Sequence, residues 1–264
     1  MELAGGKLLA VADDGVGLIT FNQPEKHNAI SVEMWAGLEK VLGAWESDDE
    51  VRVVVLTGAG DKAFISGADI SQFERLRGNA EAQQEYDRLT SGGRNSLATF
   101  PKPIIARIRG FCLGGGLAVA MHADLRIAAE DSQFGIPAAR LGIAYGFQNI
   151  RTLVSLIGQA QARMMLYSGN RINAAEAMRI GLVNQVVPRE SLSEVVGDLA
   201  RTIAGNAPLS VRASKLIIDQ VMRDSGDRDM EAVTRASVEC VNSDDYREGR
   251  TAFLEKRAPI FKGR

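Results

Sequence analysis

Cysteine and histidine are scarce in this chain. Its 264 residues hold two of each, Cys112 and Cys240, His27 and His122. They form no CxxC or HxxxH spacing, which argues against a structural zinc site. Two cysteines so far apart fit a reducing compartment. No charge of one sign dominates either. The 31 basic and 33 acidic side chains leave a net charge of −2, so the chain carries no general field for nucleic acid or an anionic membrane. Long apolar runs are missing as well. The longest, residues 111–121, is too short to span a bilayer and contains three glycines. The opening MELAGGKLLAVADDG has one lysine and an apolar stretch broken by Asp13 and Asp14, which is not a signal-peptide pattern. A cytoplasmic location is expected. GxxxxGK[ST] and the GxGxxG of dinucleotide folds are both absent.

What is present is ordinary for a globular chain, with 45% apolar and 24% charged residues. Gly15–Phe21 (GVGLITF) reads as a strand and NQPEKHN, residues 22–28, as a turn-rich loop. Ser31 caps a helix whose stripe is Met34, Leu38, Val41, Leu42 and Trp45. VRVVVLT, residues 51–57, is a near-continuous β-branched run, as in a strand covered on both faces. Residues 72–99 read as a polar helix, Ile104–Ile108 as a strand, residues 110–116 as a turn, and an apolar helix starts near Gly115. Leu125–Ala129 is a further strand. This alternation predicts an α/β core with right-handed crossovers. After residue 147 helices dominate, over 148–157, 159–167, 173–180, 190–205, 208–223, 228–241 and 244–256, with one strand at 182–187. Asn173 and Glu176 have the spacing of a capping box. The chain therefore divides into an α/β part, residues 1–200, and a helical part, residues 201–264, suited to covering a site or building an oligomer.

Two glycine-containing turns follow predicted strands: AFISGADI at residues 63–70 and GFCLGGG at residues 110–116. Ligands gather at the carboxyl ends of strands in such cores. Three glycines admit a ligand close to the backbone, and a helix starting at Gly115 aims free N–H groups and a positive dipole end at it. An anion or a developing oxyanion suits that place. A close packing contact or a nucleotide phosphate site would also use such a turn.

These two turns, with PEKHNAIS from residue 24 and AFLEKR from residue 252, resemble the crotonase family of enoyl-CoA hydratases and isomerases over roughly residues 10 to 262. The resemblance implies a repeated ββα spiral core with a C-terminal helical trimerisation region, assembled as a trimer or dimer of trimers. It implies an acyl-CoA thioester substrate, with coenzyme A as part of that substrate and no separate cofactor. Carried over by position, the backbone N–H groups of Ala68 and Gly115 form the oxyanion hole. Ala68, Asp69, Ile70 and Ser71 line the CoA. Lys26 and Ser66 lie near its adenine and nucleotide, and Phe253 and Lys256 reach a CoA, often one held by a neighbouring subunit. Outside the motif context, Lys26 and Lys256 read as solvated lysines.

The chain departs from the family where proton transfer is concerned. Hydration needs a base to activate water and an acid for the α-carbon. The family's two glutamates fall at Ala118 and, in QFGIPA, at Ala138. An aspartate used by dienoyl-CoA isomerases falls near Gly146. Tyr145 lies where family decarboxylases acting on methylmalonyl-CoA place a tyrosine, although their histidine falls at Ala68. Tyr145 also reads as a packing residue with its hydroxyl on a backbone group. Gln148 and Asn149 are able to orient a water or a carboxylate. His122, one turn past Ala118, reads as a buried, satisfied histidine, His27 as a loop residue that is exposed or beside the CoA, and Cys112 as an inert core residue. Glu74 is either a displaced acid or a helix-face ion-pair partner, and Glu81, Glu85, Asp87 and Arg88 read as a solvated helix face. Three functions follow: a hydratase- or isomerase-like enzyme, a decarboxylase or related lyase using Tyr145, and a CoA-thioester binding protein without turnover. No nucleic acid, membrane, metal or nicotinamide is expected in any of them.

Overall fold

The computed structural model of the protein describes residues 1–72 and 79–264. In chain order its elements are β1 (Glu2–Leu3), β2 (Leu8–Asp13), β3 (Gly15–Phe21), α1 (Val32–Glu46), β4 (Val51–Gly58), β5 (Ala63–Ile65), α2 (Ala80–Thr99), β6 (Ile104–Ile108), β7 (Phe111–Leu113), α3 (Gly115–His122), β8 (Leu125–Ala129) and β9 (Gln133–Gly135). There follow α4 (Phe147–Ser168), β10 (Ile172–Asn173), α5 (Ala174–Arg179), β11 (Gln185–Val187), α6 (Leu192–Gly205), α7 (Pro208–Val221), α8 (Met230–Asn242) and α9 (Asp244–Glu255).

The strands form two sheets, a seven-stranded one in the order β1-β2-β3-β4-β6-β8-β11 and a four-stranded one in the order β10-β9-β7-β5. From β4 to β9 successive strands alternate between them. β4, β6 and β8 lie parallel in the large sheet, and the strand after each of them, β5, β7 and β9, lies parallel in the small one. A helix then carries the chain back. This is the expected repeated ββα arrangement, with the C-terminal helices in place. The sequence reading folds β5 and β7 into turns and assigns no element to β9, because a three-residue strand is too short to display a period of two. β5 and β7 each lead into one of the glycine turns, so they aim those turns.

The β-branched run is covered on both faces, as expected. Val54 and Leu56 of β4 enter the core shared with α1, α3 and the small sheet. Val53 and Val55 face the other way, onto Leu192, Val196, Ala200 and Ala204. Ala204 is still packed on the large sheet, and residues 200–201 lie inside α6, so the helices that leave the core begin after Gly205.

Local signals account for several boundaries. Ser31 Oγ accepts the Met34 N–H at 3.4 Å and caps α1. The N-terminal segment is a β-hairpin, with Asp13 paired to Val16 across Asp14 and Gly15, both at positive φ. Asp-Gly between paired strands is a strong hairpin signal. Asn173 caps α5 through Glu176 N–H at 2.9 Å, but the Glu176 carboxylate turns to Arg179 and closes no box. The break expected between residues 157 and 159 is Gly158, which leaves helical geometry inside α4 at φ 73°. The strand expected at 182–187 narrows to β11.

Candidate active site

The loop after β5 is held against the 22–30 segment by main-chain bonds. Ser66 N–H donates to His27 O at 3.1 Å, Ile30 N–H to Gly67 O at 2.8 Å, and Asp69 N–H to Ile30 O at 3.0 Å. Ile30 and Ala68 form an isolated parallel bridge. In a parallel bridge built this way, the flanking Gly67 carbonyl and Asp69 N–H face the partner, and the N–H of Ala68 faces the opposite side. Gly67, at φ 135°, allows that turn.

Beside Ala68 stands Gly115, the first residue of α3. A Cβ built on Gly115 would lie 3.5 Å from Ala68 N and 3.7 Å from Gly67 C. The two expected hole residues are therefore neighbours, although 47 positions apart in the sequence. Neither N–H donates to an acceptor among the described residues. The preceding Gly114 takes φ 51° and ψ −114°, a conformation open to glycine, and its N–H is tied to Gly135 O at 2.8 Å. The third glycine has a different reason. A Cβ at Gly116 would meet Ile65 O at 2.1 Å, so its absence lets α3 lie against β5. Gly116→Ala is expected to lower the melting temperature by about 3–10 °C, from the usual cost of overpacking a core. A thermal melt matching the parent protein would refute that packing role.

Lys26, Ser66, Asp69 and Ser71 are brought together beside Ala68. The Lys26 ammonium donates to Asp69 Oδ2 at 3.1 Å and to Ser71 Oγ at 3.2 Å. Ser71 donates to Asp69 Oδ1 from its N–H at 3.0 Å and from its hydroxyl at 2.6 Å. Lys26 is thus a partner of the loop as well as half-exposed. Ile70 opens a short 3-10 turn, residues 70–72. Sequence reasoning passed over Asn28. Its buried carboxamide donates to Ala59 O and Ala63 O, both at 2.8 Å, and accepts Gln23 N–H at 3.0 Å, which ties the 22–30 segment to the β4–β5 connection. A polar residue in left-handed geometry (φ 55°) inside a Pro-containing loop was the available signal.

Burial alone would raise the pKa of Asp69, but hydrogen bonds from Ser71 and Lys26 outweigh it and hold the carboxyl below its usual value. A depressed carboxyl stabilises the fold above its unfolded pKa, near 3.9, and the contribution disappears as pH falls through the lower folded value. The stability advantage of the parent protein over Asp69→Asn is therefore expected to be full above about pH 5 and to shrink below about pH 4. Melting curves of both proteins across that interval check it, and a pH-independent difference would contradict the assignment.

Ala138 is buried in the core around α3, together with Cys112, Leu117 and Ile136, and Ala118, on α3 itself, is buried as well. Burial raises the Cys112 thiol well above its usual range, which keeps it inert. Tyr145 is half-buried, and its hydroxyl donates to Gly114 O at 3.1 Å. Burial pushes its phenol pKa up, so it stays protonated at neutral pH. His122 departs from the expected satisfied histidine. It is half-buried, and its ring makes no hydrogen bond among the described residues. Burial, and then the Arg94 charge, push its pKa down, leaving a neutral imidazole. His27 stands edge-on to Phe111 at 6.2 Å. Glu74 lies outside the described residues. Glu85 pairs with Arg88 on an exposed helix face, as expected.

Phe253 and Lys256 do not join this cluster within the chain. Both are exposed at the end of α9, where Lys256 adopts the left-handed cap at φ 54°. Phe253 borders a groove with Cys240, Val241, Tyr246 and Phe261. Among the described residues no group of three His, Cys, Asp or Glu side chains is placed to hold a metal, and no helix is long and apolar enough to cross a membrane.

Residues 12–264 match the family model described as enoyl-CoA hydratase/isomerase. The chain is 37% identical to the short-chain-enoyl-CoA hydratase of Clostridium acetobutylicum, with 92% of each chain covered. It is 36% identical to the crotonyl-CoA hydratase of Syntrophomonas wolfei, covering 98% of this chain and 99% of that one. Its fold superposes on a crystal structure of an enoyl-CoA hydratase/carnithine racemase from Magnetospirillum magneticum with a TM-score of 0.94 at 33% identity, covering 99% and 97% of the two chains. The alternating sheets, the glycine-bent helix start facing Ala68, and these full-length likenesses agree: the chain belongs to the enoyl-CoA hydratase/isomerase family.

Proposed function

We propose that the protein binds an acyl-CoA thioester and stabilises the enolate oxygen formed on it with the N–H groups of Ala68 and Gly115. The observation that carries this reading is the placement of Ala68 N beside Gly115, with neither N–H spent on an acceptor among the described residues. Donors preorganised toward developing charge are worth about 10²–10³ in rate each. The reaction class is that of a hydratase-type lyase or isomerase, as the names of the relatives indicate for those proteins. The loop of Ala68, Asp69, Ile70 and Ser71, with Lys26 and Ser66, lines the CoA, which enters as part of the substrate.

Alanine at positions 118 and 138 favours a second reading, decarboxylation of a malonyl-type thioester. There the bond from the α-carbon to the carboxylate breaks and its electron pair passes into the thioester enolate. Carbon dioxide departs, and a solvent proton later reaches the α-carbon. No base is required, and an apolar wall disfavours the substrate carboxylate. Tyr145 then serves the enolate site and is not a base, since its phenol stays protonated.

Incubating the protein with a panel of acyl-CoAs and following product mass tests both. Water gain on crotonyl-CoA supports hydration, and loss of carbon dioxide from malonyl-type thioesters supports decarboxylation. Binding without turnover across the panel would leave a CoA-thioester binding protein and refute both.

The C-terminal helices carry exposed apolar side chains, among them Ile218, Val221, Val238, Val241, Phe253 and Leu254. Surfaces of this kind mark association. We expect light scattering to return three or six copies of the 28.4 kDa chain, with Phe253 and Lys256 reaching a neighbour's CoA. A monodisperse monomer would refute this assembly.

A further inference from the structure

We propose that Tyr145 is a positioning residue of the oxyanion hole, holding and polarising the peptide that supplies one of its two donors. This rests on the reading of Ala68 and Gly115 as the hole. The carbonyl of Gly114 and the N–H of Gly115 belong to one peptide unit, so whatever fixes the carbonyl fixes the N–H on its other side. That peptide joins two glycines, and Gly114 sits at φ 51° with only Pro137 Cδ near the place of a Cβ, at 3.9 Å. Side-chain packing therefore does little to stop the unit from rotating and swinging its N–H out of the hole.

Two hydrogen bonds take over that task. The Gly114 carbonyl accepts Ala118 N–H at 3.1 Å, the first bond of α3. It also accepts the Tyr145 hydroxyl at 3.1 Å. A carbonyl has two lone pairs, and both are engaged. A donor on the carbonyl also strengthens the N–H of the same unit, by about 10–30% per bond. Tyr145 is packed against the main core and precedes α4, so its hydroxyl is delivered by a separate element and does not follow the movement of α3. Because burial keeps the phenol protonated, it remains a donor throughout the neutral range. The tyrosine thus acts on the reacting oxygen through the backbone, without touching substrate.

The enolate absorbance of bound acetoacetyl-CoA reads this directly and requires no turnover. Three proteins are compared: the parent, Tyr145→Phe and Gly115→Ala. Tyr145→Phe is expected to lower the ratio of bound enolate to bound keto form by about fivefold, the worth of one hydrogen bond, with affinity for free CoA unchanged. Fluorotyrosine at position 145, a stronger donor of the same shape, is expected to raise the ratio, a change that packing alone would not produce. Unchanged ratios in both Tyr145 variants, while Gly115→Ala loses the enolate signal, would overturn the positioning role and leave the hole standing. Full enolate signal in Gly115→Ala would overturn the hole, and the role of Tyr145 with it. Should Tyr145→Phe fail to fold, the fluorotyrosine protein alone decides between the two.

Discussion

Gly115→Ala is expected to abolish turnover on whichever thioester the protein accepts, with a loss on the order of 10²-fold or more, while the fold stays intact. The reason is steric and local. A methyl at this position would meet no protein atom closer than 3.5 Å, and that nearest atom is Ala68 N. It clears the protein and occupies the space in front of the second donor, where the substrate oxygen has to sit. Stability should not suffer, because alanine in a helix is favoured over glycine by about 1 kcal/mol. Gly116→Ala is the opposite case, one residue along, where the added methyl strikes Ile65 O. Steady-state kinetics and thermal melts on the two variants separate chemistry from packing. A Gly115→Ala protein with full activity would rule out the oxyanion hole.

Ala118→Glu combined with Ala138→Glu is expected to raise hydration of crotonyl-CoA by about 10²-fold or more, because each carboxyl restores a proton-transfer group of the kind that contributes about 10²–10⁴ in rate. Both alanines are buried. A glutamate there is pushed toward its neutral form by desolvation, which suits a group that delivers a proton. The same burial costs stability, since a carboxyl without a partner is expensive to desolvate. Circular dichroism and a melt therefore accompany the rate measurement. A folded double variant that hydrates crotonyl-CoA no faster than the parent would show that the acyl pocket, and not missing acid–base groups, sets the reaction.

Much of the fold was legible in the residues. The long elements announced themselves: Ser31 before an apolar stripe, the VRVVVLT run, and the strands Ile104–Ile108 and Leu125–Ala129. Each has enough residues to show its period and a cap or turn to bound it. The three-residue strands did not, because Ala63–Ile65, Phe111–Leu113 and Gln133–Gly135 owe their existence to pairing with one another. The Asp14–Gly15 hairpin was readable and overlooked. The burial of Ala200 and Ala204 on a sheet formed far earlier in the chain is a tertiary contact that no local pattern displays.

The candidate site divides along the same line. Sequence by itself determined the chemistry that is missing, because alanine at 118 and 138 cannot carry a proton in any fold, and it determined which two glycine turns to watch. Only the tertiary structure decided that those turns meet, that Ala68 turns its N–H away from Ile30 and lies beside Gly115, and that the Tyr145 hydroxyl rests on the Gly114 carbonyl. Side-chain identity is written residue by residue, whereas the direction of a backbone N–H is set by hydrogen bonds to segments distant in the chain.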